Sequence, residues 1–208
     1  MNKFFNFESP VMQFLMKVSD LILLNILTVL CSLPIVTGGA SMAGLYYAVG
    51  HLQEDKGSAV KDFFAGFRSN FRQATALWAI WLGSFLVIAG ALWLYISQNG
   101  ITSALRIPGL LIMGIAAIIW ILGVSWVFPL QASFHNTVKG TLQNALRCGC
   151  ANPLKSLVMT ALNLIPLLCW FFRPDDFWRF AVVWAAIWYA LAAYLIRKMA
   201  KKVFDGIS

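Results

Sequence analysis

Five stretches of this chain, residues 18–34, 74–97, 108–128, 154–172 and 177–196, are apolar over the length a bilayer requires. A hydrocarbon layer of roughly 30 Å needs a helix of about 20 such residues. Short connections join the stretches, so a polytopic arrangement outweighs a single anchor. A soluble core could not absorb them, because 60% of the 208 residues are hydrophobic and only 12% are charged. The expected fold is an all-α membrane helical bundle, a single integral membrane domain over residues 1–208. The opening "MNKFFNFESPVMQFLMKVSD" lacks the basic start, short apolar stretch and small-residue cleavage site of a leader, so it should be retained.

A sixth segment, 36–53, is apolar but rich in glycine, and its 18 residues would rise only about 27 Å. If it crosses, the bundle has six spans with both termini cytoplasmic, and thirteen of the sixteen Lys and Arg fall inside, leaving Arg106, Arg173 and Arg179 outside. The rival, five spans with the N-terminus outside, moves Lys3 and Lys17 across and weakens that bias. If the segment lay flat with the N-terminus inside, the loop carrying Lys56, Lys61, Arg68 and Arg72 would be forced outside. Ala40, Gly44 and Ala48 recur every four residues and make a small-residue stripe that lets a helix approach its neighbour closely. This favours a short, buried second span, and the same stripe could instead serve a homodimer.

Proline and cap residues set the expected boundaries: Ser9 before Pro10, Pro108 at a first turn, Asn152 before Pro153, and Pro166 as a kink inside its helix. Between the second and third spans, a helix over 58–73 places Phe63, Phe64, Phe67 and Phe71 at i, i+3, i+4 spacing, with Lys61, Arg68 and Arg72 on another row. Such a cytoplasmic, basic, aromatic helix rests in the headgroup layer or offers its phenylalanines to a partner protein. A weaker echo over 137–150 sets Val138, Leu142 and Ala145 against Lys139, Gln143 and Arg147.

Chemistry is hard to find. No ionisable group lies at the centre of a span, where proton relays and counter-ions would be needed. Asn25 and Asn163 are the deepest strongly polar residues, and interhelical hydrogen bonding explains them better than substrate contact. His51 and His135 are isolated, and Cys31, Cys148, Cys150 and Cys169 lack the spacing of a four-ligand zinc site. No phosphate loop, triad or carboxylate pair appears. The expectation is a non-enzyme without metal or cofactor. The net charge of +8 belongs to cytoplasmic loops rather than to nucleic-acid binding. Among nine tryptophans, Trp78 and Trp81 should mark the inner boundary and Trp93, Trp170 and Trp178 the outer one, while Trp184 and Trp188 continue a packing stripe from Phe177 and Phe180.

The run "SDLILLNILTVLCSLPIVTGGASMAGLYYAVGHL", followed by "DFFAGFRSNFRQATALWAI", resembles the YesL-like family of bacterial membrane proteins of unknown function. The resemblance rests on Asp20, Leu23, Asn25, Pro34, Thr37, Gly39, Ala40, the Tyr46–Tyr47 pair, Phe64, Phe67, Asn70, Phe71 and Gln73, over roughly the first 80 residues. The family often has a proline after that glycine, where this chain has Ala40. The resemblance implies a bacterial inner-membrane location and association with carbohydrate importers of the ATP-binding-cassette type. It supplies no catalytic residues. The expected role is an accessory or assembly subunit docking on importer permeases within membrane lipid. The alternative is a stand-alone permease or channel lined by Asn25, Asn163 and small residues of the second span.

Overall fold

The computed structural model describes residues 10–97 and 103–205, and all regular structure among them is helical. Helix α1 is Pro10–Ser32, followed by a single 3-10 turn, Ile35–Thr37, and α2, Gly38–Gln53. Then come α3, Ala59–Ser97; α4, Ser103–Ser133; α5, Val138–Ala151; α6, Pro153–Phe172; and the short α7, Pro174–Arg179. The last helix, α8, is Ala181–Phe204 and contains a π turn at Trp184–Trp188. Ser9 as a cap, and Lys3 and the Arg106 side chain as charge markers, lie outside the described residues.

Five helices, α1, α3, α4, α6 and α8, are long and apolar enough to cross a membrane. The expected sixth span falls short: α2 has 16 residues, about 24 Å of rise, and eleven of them are buried. It is a core helix wrapped by the longer ones. It nevertheless carries the chain back from one end of α1 to the other. Lys17 Nζ on α1 lies 2.8 Å from Asp55 just past α2, and at the opposite end Thr37 donates to the Cys31 carbonyl at 2.5 Å. The Lys17 and Lys56 positions therefore share one end of the bundle.

The return turn is tight for reasons visible in its residues. Asp55 has φ 54° and Gly57 φ 78°. Only glycine fits at position 57, because a Cβ there would run into the Asp62 carboxylate, which accepts from the Ser58 N–H at 2.9 Å and closes the first turn of α3. Two separate elements were expected over 58–73 and 74–97. They are one helix of 39 residues, since nothing around Gln73–Ala74 breaks it: no glycine, no proline and no cap.

Helices α2 and α3 meet without a layer of side chains between them. A Cβ on Gly44 would lie 2.8 Å from the Phe63 carbonyl oxygen, and one on Gly66 would lie 2.6 Å from the Tyr47 Cβ. One on Gly39 would collide with the Ala74 carbonyl and come within 2.6 Å of the Trp78 Cβ. Ala40, Gly44 and Ala48 are all buried in this single chain, so internal packing accounts for the small-residue stripe. Gly149 of α5 makes a similar approach to the Leu122 backbone of α4.

The prolines act differently from expectation at α4, which begins at Ser103 and runs through Pro108 and Pro129. In α6, Pro166 has no N–H to give the Leu162 carbonyl, and the Trp188 indole of α8 donates to that oxygen at 3.1 Å. A gap in one helix thus becomes a tie to the next. Trp184 and Trp188 stack edge to face at 5.1 Å, as the packing stripe requires. Trp93, Trp170 and Trp178 are exposed, whereas Trp81 is buried in the core and the partly buried Trp78 donates to the Ile35 carbonyl at 3.0 Å.

Candidate functional site

The amphipathic row on α3 divides on folding. Phe63 is fully buried against α2, and Phe64 and Phe67 pack on the same core with ring centroids 5.4 and 6.2 Å from that of Phe63. Phe71 is half-buried behind Phe67, while Arg68 and Arg72 are exposed. As a surface contact Phe63 is therefore corrected: its amphipathic face is covered by the chain itself, and the cations are what this helix leaves open. Next to that row runs a polar chain that periodicity does not reveal. Gln131 of α4 donates to Asn70 at 2.9 Å and accepts from Thr141 of α5 at 3.2 Å, and Gln73 donates to the Asn136 carbonyl.

Charged groups collect at the two ends. Lys17, Glu54, Asp55, Lys56, Arg197 and Lys201 gather where α1, α2 and α8 meet, with Lys201 3.9 Å and Lys56 3.1 Å from Glu54. The hydrogen-bonded Lys56 ammonium holds the Glu54 carboxyl below its ordinary value, with Lys201 helping. At the far end of α6, Arg173 and Arg179 flank Asp176 at 2.9 and 3.2 Å. His51 contacts Asp62 at 3.3 Å and packs against Tyr47 with the rings tilted by 49°, while His135 is exposed. Among the described residues no three His, Cys, Asp or Glu side chains are grouped to hold a metal.

The four cysteines are unpaired. Cys148 is buried, which pushes its thiol up from the ordinary value, whereas Cys150, two residues on, is exposed. Since the thiolate is the reactive form, a maleimide should modify Cys150 well before Cys148 in the folded protein. Peptide mapping after brief labelling checks this, and equal modification would mean α5 does not lie as described.

The two deep asparagines part company. Asn25 is enclosed by α8 and donates to the Ala185 and Trp184 carbonyls at 2.5 and 3.3 Å, and its Oδ1 accepts from the Ala190 N–H at 3.0 Å. It is committed to the π turn. Asn163 instead lines a half-open chamber of about 600 Å³, where its side chain hydrogen-bonds the buried Tyr46 hydroxyl and donates to the Met159 carbonyl at 3.1 Å. Of the channel lining expected, Asn163 and Gly38 face the chamber and Asn25 does not.

The walls are Thr28 and Val29 of α1, Met42 of α2, Trp78 of α3, Val124 and Phe128 of α4, and Leu164 of α6. At the rim stand Leu33 and Ile35, 72% and 70% exposed. Among the described residues no charged side chain lines it. Size and apolar character are those of a pocket for a small organic molecule. Ser125, at the chamber wall, was not singled out by the sequence.

With this geometry in view, comparison with known proteins is informative at one place. Residues 21–92 match the family described as "Protein of unknown function, DUF624". This is the YesL-like family. No curated protein and no solved structure matches the chain. The DUF624 segment takes in most of α1, all of α2 and most of α3: Asn25, the return turn and the glycine crossing lie within it. Ser125 and Asn163 lie beyond it. The chain is thus a multi-pass membrane protein carrying a DUF624 segment.

Proposed function

We propose that this protein is a non-catalytic accessory or assembly subunit of a bacterial carbohydrate importer of the ATP-binding-cassette type. It would dock on the permease subunits by helix–helix contact, with the Lys17–Lys56 end facing the cytoplasm. The resemblance of the DUF624 segment motivates the importer. One structural observation supports docking. The outer halves of α3 and α4 are the least buried of the spanning helices, and Gly83, Gly90 and Gly114 have nothing within 4 Å of where a Cβ would be. Glycine facing lipid contributes neither packing nor helix propensity, but against a partner helix it permits close approach. Arg68 and Arg72 would meet anionic headgroups beneath that contact.

The test is copurification of the permease subunits with Gly83→Leu/Gly90→Leu. The expected result is loss of the complex with membrane insertion and helix content intact. A complex that survives both substitutions removes this face from the account. The chamber gives the channel reading its one foothold, and the protein alone in liposomes should show no sugar flux; sustained flux would favour the permease.

A further inference from the structure

We propose that a second cavity, where α2, α4 and α8 meet, binds one singly charged phosphate group through the Arg197 guanidinium and the Lys201 ammonium. The phosphate belongs to a lipid headgroup or to a small soluble ester, and the site does not depend on the importer reading. The cavity is half open and holds about 160 Å³. Arg197 is fixed in it from two sides. Its Nη1 donates to the Ser133 hydroxyl of α4 at 2.5 Å. A Cβ on Gly50 would lie 2.8, 3.0 and 3.1 Å from Nη2, Cζ and Nε, so α2 covers the flat face of the guanidinium and any larger residue would displace it. The edge bearing Nε and Nη2 has no hydrogen-bond partner among the described residues, and neither nitrogen is sealed from solvent. The indoles of Trp81 and Trp184, by contrast, are unpaired but enclosed.

Among the described residues no carboxylate lies within 4 Å of Arg197. Arginine cannot shed its proton, and a guanidinium drawn into a fold is ordinarily paired. The acid whose charge reaches it, Glu54, is engaged instead by Lys56 at 3.1 Å and Lys201 at 3.9 Å. What remains open is the two-donor fork that grips an oxyanion bidentately. Lys201 stands one turn further along α8 on the same side, within reach of a third oxygen, which a tetrahedral phosphate has and a carboxylate lacks. Glu54 and Asp205 also line the cavity, so a dianion would face two carboxylates, whereas one negative charge is matched by the two cations. The depth suits a headgroup. Residues 107–133 of α4 carry no charge and end at Ser133, and Arg197 is the first charge after the apolar run 180–196 of α8.

The experiment is calorimetric titration of the full chain in maltoside micelles with dihexanoylphosphatidylglycerol, with dimethyl phosphate, and with dihexanoylglycerol, which lacks the phosphate. Saturable binding of one phosphatidylglycerol is expected, and none of dihexanoylglycerol. Much weaker binding of dimethyl phosphate would assign the site to a headgroup, and comparable binding to a soluble ester. Arg197→Lys keeps the charge but not the fork and should weaken binding about 10-fold or more. Lys201→Gln should weaken it about 2- to 5-fold, as befits an exposed cation, and Asp205→Asn should tighten it. A merely structural role for Arg197 would not give that opposite pair of shifts, which decides the matter if Arg197→Lys does not fold. Absence of saturable binding by either phosphate would overturn the proposal, as would equal binding of dihexanoylglycerol or an affinity unchanged in Arg197→Lys.

Discussion

Alanine at Gly39 is expected to destabilise the protein by at least the 1–3 kcal/mol that overpacking typically costs, despite adding one methyl group. The size follows from what the methyl meets. Beside Gly39 stands the Ala74 carbonyl, main chain inside a 39-residue helix, together with the Trp78 Cβ. Neither can swing aside as a flexible side chain would, so α2 and α3 must separate. Separation propagates to the Gly44–Gly66 approach one to two turns away and to the Trp78 tie on the α1–α2 turn. Gly83→Ala is the control: nothing lies within 4 Å of its new Cβ, and alanine is the better helix former by about 1 kcal/mol, so that variant should be neutral or slightly more stable. Unfolding in mixed micelles, followed by helix signal, reads both. Equal midpoints for the two variants would mean that α2 is not clamped on α3.

How much of this was open to reading from the chain varies with range. The long apolar runs announce themselves because length and hydropathy are local quantities, and α1, α6 and α8 fall close to where the runs lie. The role of α2 was legible only in part. The spacing of Ala40, Gly44 and Ala48 signals close approach, but its partners, Gly66 and the backbone at Phe63 and Ala74, are supplied by another helix. Periodicity puts Phe63 on an apolar face without saying whether lipid, a partner or the chain itself covers it; α2 covers it. The chamber was hidden for the same reason. Its lining residues come from α1, α2, α3, α4, α6 and α8, and no local pattern brings them together. The charge bias favoured a return stroke after Pro34, and the Lys17–Asp55 contact brings the far end of α2 back beside the first turns of α1.

Replacing Asn25 by alanine should cost about 2 kcal/mol or more and shift helix content at α8. Two scales bear on the figure. Hydrogen bonds between side chains in membranes average near 0.6 kcal/mol, since the unfolded-in-membrane state finds other partners. Leaving buried main-chain groups unsatisfied costs roughly 1–3 kcal/mol each. The second scale governs here, because Asn25 serves backbone: the Ala185 and Trp184 carbonyls on one side of its amide and the Ala190 N–H on the other. In the π turn at Trp184–Trp188 the ordinary helical pairing is broken, so these groups have no α-helical fallback without rewinding the turn. Asn25→Asp separates donor from bulk. It keeps an acceptor for Ala190 but sets oxygen against two carbonyl oxygens, and it should be at least as damaging as alanine. Thermal unfolding of the aspartate variant at the wild-type temperature would show that the amide does not bridge the π turn, and this contact between the DUF624 segment and α8 would then carry no energy.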